Sequence, residues 1–124
     1  MVPLQTGVGS APAVAVAGTV AVFALFLSLT AHLAARNVLG DVPVRNAFLV
    51  GPVPAAVAVV AAALELPSIP AVLLALALDA ALVRYVYDLD RRLTGAVTAI
   101  HAVVSVILGS VIFSLYVLVR SAPG

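Results

Sequence analysis

The chain has no cysteine, no tryptophan and no lysine, and only 9% of its 124 residues are charged. Without thiols there can be no disulfide, no thiolate catalysis and no cysteine-based metal site. A net charge of +1 does not make the dense basic surface that nucleic acid requires. Catalytic signatures are missing too. There is no Walker loop, no nucleophile elbow and no histidine pair at metal-binding helical spacing. The stretch Gly7-Val-Gly9-Ser-Ala-Pro12 lacks the third glycine and the preceding strand of a dinucleotide loop. Neither Asn37 nor Asn46 opens a glycosylation sequon. The expectation is therefore no catalytic residue, no cofactor, no metal and no enzymatic chemistry.

What the chain does have is apolar surface: 65% of its residues are hydrophobic and its mean hydropathy is +1.28. A chain this short cannot hide that much apolar surface from water in one core. Four long apolar runs, at about 13–35, 46–64, 69–87 and 94–119, are separated by three short breaks that carry charge. Runs of about 19 to 26 residues are about 28 to 39 Å long as helix, enough for a hydrocarbon core of roughly 30 Å. The run Ala71 to Leu78 does not alternate in polarity, which argues against barrel strands. In lipid the backbone must then satisfy itself as helix. The predicted fold is all-α: one integral membrane domain over 1–124, a four-helix transmembrane bundle with short loops. Its second helix is predicted to kink at Pro52 and Pro54, which have no N–H to give the carbonyls of Phe48 and Val50.

The residues upstream of the first run, Met1 to Pro12, carry no Lys or Arg, and no small-x-small site follows the run. That run reads as a retained anchor, not a cleaved signal. Every cationic side chain is arginine. Arg36 and Arg45 flank the first break, and Arg84, Arg91 and Arg92 flank the third, while the second break has none and the C-terminal end has Arg120. This asymmetry predicts that the first and third connections face the cytoplasm, anchored by those five arginines, with both termini outside the cell membrane. Tyr85 and Tyr87 then sit at the inner interface and Tyr116 near the outer one. An Arg84–Asp88 pair at i, i+4 is the simple account of Arg84.

Polar groups inside the runs are few and costly. Counting inward from the cytoplasmic ends puts Asp79 and His101 about 12 to 14 Å deep, near the midplane. Helices joined by a short loop are antiparallel neighbours, so the two side chains can meet. Ser28 and the Gly51-Pro52 kink fall in the same layer, and Thr98, His101, Ser105 and Gly109 form one stripe. Ala24, Ser28 and His32 make a matching face on the first helix, and the two stripes pack together or flank the third helix. The candidate intramembrane layer is Asp79, His101, Ser28, Ser105 and Pro52. A carboxylate at the bilayer centre costs about 2.5 to 3.5 kcal/mol, so Asp79 faces protein or water.

Two functions fit. The first is a small structural or accessory membrane component, using close helix packing to join a homo-oligomer or larger membrane complex. The second is a proton- or ion-coupled transporter or channel built on Asp79, His101 and the Pro52 kink. The lysine-free composition, dominated by alanine and valine, resembles small uncharacterised multi-spanning proteins of high-GC prokaryotes, haloarchaea in particular. The resemblance is one of composition along the whole chain and supplies no site residue.

Overall fold

The computed structural model describes residues 12–123. The Gly7–Gly9 stretch, with the rest of residues 1–11 upstream of the first run, lies outside the described residues, whereas the run itself is helix. Helix α1 (Ala13–Leu39) ends at Gly40, whose φ of +88° suits a residue without Cβ and whose N–H bonds Arg36 O at 3.0 Å. Helices α2 (Val44–Val50) and α3 (Pro52–Ala63) are two parts of one apolar segment. Gly51 between them keeps helical dihedrals (φ −59°, ψ −40°), so the chain kinks there without leaving the helix. The cause is the one the sequence predicts: Pro52 and Pro54 cannot donate to the preceding turn.

At the end of α3 the chain turns through Glu65, in a left-handed conformation, and Leu66 N–H closes the turn on Ala61 O at 2.9 Å. Helix α4 (Ser68–Tyr87) follows and stops at Asp88, which is also left-handed. Arg84 and Asp88 are joined through the backbone, Asp88 N–H to Arg84 O, and form no side-chain ion pair. Helix α5 (Arg91–Ser121) is the longest. It starts before the apolar run does because the Asp90 carboxylate accepts from Leu93 N–H at 2.8 Å, capping the first turn. In the same way α1 continues past the last apolar position predicted for it and carries Arg36 in its last turn, where a cation complements the helix dipole.

The four apolar helical segments form a ring: α1 packs on α5 and on α2/α3, and α4 packs on α3, α2 and α5. Each segment is long and apolar enough to cross a membrane. The buried core lies toward the arginine-bearing connections and is built of Ala31, Ala34, Ala35, Ala47, Val50, Val83 and Val97. Four of these are alanines, whose size lets backbones approach closely. Farther from those connections, α1 and α5 expose large apolar side chains such as Val14, Val22, Val106, Phe113 and Leu118. An exposed apolar surface this extensive suits lipid, not water.

Candidate functional site

The polar side chains of three helices converge at the head of this core. His101 on α5 and Asp79 on α4 are both only 3% exposed, and His101 Nδ1 lies 2.7 Å from Asp79 Oδ2. The opposite ring nitrogen, Nε2, lies 3.1 Å from the Leu27 carbonyl oxygen and 3.0 Å from Thr30 Oγ1, both on α1. Ser105, one turn beyond His101 on the same face of α5, donates its hydroxyl to Thr30 Oγ1 at 2.9 Å. The Thr30 hydroxyl donates in turn to Leu27 O at 3.1 Å.

These contacts fix where hydrogens sit. A carbonyl oxygen only accepts, so Nε2 of His101 carries a hydrogen. One further proton lies between Nδ1 and Asp79 Oδ2. On nitrogen it makes an imidazolium–carboxylate pair; on oxygen it makes a neutral imidazole and a carboxylic acid. Both arrangements have zero net charge, which removes most of the penalty that a lone carboxylate would meet in hydrocarbon.

Ser28 lies on another side of α1. It is two residues from Thr30, about 200° around the helix at 3.6 residues per turn, so the two side chains meet different neighbours. Thr30 faces α5, whereas Ser28 packs against Gly51, where the missing side chain leaves room for the Ser28 backbone and hydroxyl. Ser28 Oγ and Asp79 Oδ1 are buried and have no hydrogen-bond partner among the described residues. Thus Asp79, His101 and Ser105 share one network, Ser28 lies beside it at the kink, and Pro52 follows Gly51 as a half-buried first residue of α3. Arg36, Arg45, Arg84, Arg91 and Arg92 are all exposed around the connections at the packed end.

Thr30 and the Leu27 carbonyl are the members that reading the sequence did not single out. The stripe through Ala24, Ser28 and His32 drew attention to one face of α1, but α1 touches two neighbours and needs two faces. A signal was present: Thr30 is the polar residue of α1 that lies opposite Ser28 at nearly the same depth.

Four apolar helical segments around a buried, internally bonded polar network define an all-α protein of membrane type. The chain belongs to a family of unknown function, DUF7473, whose model matches residues 10–123. No curated protein and no solved structure matches it.

Proposed function

We propose that this chain is a structural or accessory component of the cell membrane. In this reading it crosses the bilayer four times with both termini outside, performs no catalysis, and joins a larger membrane complex through its lipid-facing helices. The observation that carries this reading is the way the polar atoms are used. Both ring nitrogens of His101 are bonded, and the bonds tie α1, α4 and α5 together at one depth. Intramembrane polar contacts average only about 0.6 kcal/mol, so such a network selects helix register more than it adds stability. A rigid, register-locked bundle with alanine-lined contacts is what a scaffold needs. The arginine asymmetry supports the orientation.

A proton- or ion-coupled transporter is the second reading. Support for it comes from Asp79 Oδ1 and Ser28 Oγ, two buried polar atoms without partners among the described residues, one of them against the Gly51 kink. Ionisable groups and kinked helices at midplane depth are recurring elements of ion pathways.

Asp79→Asn separates the two, since it removes the ionisable carboxyl group and keeps the shape. In proteoliposomes the accessory reading expects no pH-driven flux from the wild type, with any effect of the variant confined to stability or complex yield. A wild-type flux abolished by Asp79→Asn would establish transport instead. Purification in mild detergent with native mass measurement supplies the positive test: the accessory reading expects a defined hetero-complex, and a lone homo-oligomer counts against it.

A further inference from the structure

Away from the packed end, α1 and α5 part to leave an apolar groove of about 840 Å³. Ala15, Gly18, Phe23 and Phe26 line it on α1, and Gly109 and Tyr116 on α5. Its two glycines keep it open. A Cβ at Gly18 would meet nothing within 4 Å, and one at Gly109 would reach only the Phe26 ring, at 3.8 Å.

The length of the groove limits what can occupy it. From Ala15 to Phe26 is about 16 Å of helix, half of a hydrocarbon core of about 30 Å. At Leu27 the buried core begins and the groove is closed. A transmembrane helix from a second copy needs a track through the whole hydrocarbon thickness, whereas an acyl chain from one leaflet needs only half. The groove therefore matches a lipid chain in length.

Charge marks its mouth. Arg120, in the last turn of α5, donates from Nη1 to the Tyr116 hydroxyl at 2.7 Å and stands 5.6 Å from that ring's centre. It is the only cationic side chain at that end, since the other five arginines flank the opposite connections. A guanidinium has five N–H donors, so one bond to Tyr116 leaves a fork free for phosphate. The same tyrosine lines the apolar groove and orients the cation at its entrance.

We propose that the groove between α1 and α5 seats one acyl chain of an anionic phospholipid whose phosphate pairs with Arg120. The site is separate from the Asp79–His101 network and is independent of the role assigned to that network. The test is lipid retention. The full chain is reconstituted in nanodiscs of mixed phosphatidylglycerol and phosphatidylcholine, extracted in mild detergent, and its bound lipid is counted by native mass spectrometry. The wild type is expected to retain one phosphatidylglycerol per chain. Arg120→Gln lowers the preference for phosphatidylglycerol by about fivefold. Gly109→Leu and Gly18→Leu fill the groove and remove both lipids, and the one of them that keeps the wild-type melting temperature is decisive. Equal retention of the two lipids by the wild type overturns the proposal. So does undiminished retention in the folded groove-filling variant. A wild-type dimer that such a variant converts to monomer, with lipid retention unchanged, would make the groove a contact between copies and would also overturn it.

Discussion

Gly51 and Ser28 approach so closely that a methyl group on the glycine would overlap both the serine hydroxyl and its backbone. The obstacle is main chain, which cannot rotate aside, so α1 and the kinked segment would have to separate. Gly51→Ala is therefore expected to destabilise the bundle by about 1 to 3 kcal/mol, the usual range for overpacking. Gly95→Ala is the control, because a Cβ there meets nothing within 4 Å, and in a helix the change is worth up to about 1 kcal/mol of added stability. Unfolding in detergent would show the two alanines moving stability in opposite directions. Equal effects would mean that the close approach does not limit the packing.

The Asp79–His101 contact makes a prediction about hydrogen bonding that charge alone does not. Asn at position 79 can still donate to Nδ1 of a neutral imidazole, whereas Leu cannot. Asp79→Asn should therefore be nearly neutral for stability, and Asp79→Leu should cost about 1 to 3 kcal/mol, because it leaves a buried ring nitrogen unbonded. His101→Phe is expected to fall in the same range. A double-mutant cycle between positions 79 and 101 should return a coupling of about 0.6 to 1.7 kcal/mol. Coupling near zero would show that the two side chains do not support one another.

The Leu27 carbonyl assigns the tautomer, and nitrogen NMR can read it. With His101 selectively labelled in the folded protein, Nε2 is expected to be protonated, with the remaining shared proton on the Asp79 side of the ring. A spectrum with hydrogen on Nδ1 alone would contradict the bond to Leu27 O.

Thr30 stands at the junction of three of these bonds and Ser105 at the end of one. Thr30→Val keeps the shape and deletes the junction, so it should cost more than Ser105→Ala. At about 0.6 kcal/mol per contact, the expected losses are about 1 to 2 kcal/mol against about 0.5 kcal/mol. Paired unfolding curves of the two variants give the ranking directly, and the reverse order would mean that the serine, not the threonine, organises the network.

Much of this was legible in the residues because lipid makes the pattern coarse. Long apolar runs interrupted by arginine leave few foldings open, and Pro52 and Pro54 mark the kink through their missing N–H groups. Asp79 and His101 could be matched by depth alone, since the connection between α4 and α5 is short. The helix ends were less legible. Asp90 caps α5 and Gly40 ends α1, so helix continues into polar sequence that a hydropathy reading stops short of. The choice between Ser28 and Thr30 was hidden for another reason: which face of α1 meets α5 depends on the rotation of the helix in the bundle, and rotation is set by the close packing of Gly51 against Ser28. Reading that contact requires the third dimension.

Orientation can be tested cleanly because the chain has no cysteine of its own. Asp41 lies in the connection between α1 and α2, and Leu66 in the turn between α3 and α4; both are exposed. The kinked segment Val44–Ala63 lies between them and is long enough to cross a membrane. With Arg36 and Arg45 near the first position and no cation near the second, the positive-inside rule predicts the first on the cytoplasmic side and the second outside. A membrane-impermeant maleimide added to intact cells should label Leu66→Cys and leave Asp41→Cys unmodified until the cells are opened. The opposite pattern would invert the orientation and move the Arg120 end to the cytoplasmic leaflet. Labelling of both cysteines from one side would mean that the kinked segment does not cross, and the four-crossing arrangement would then be rejected.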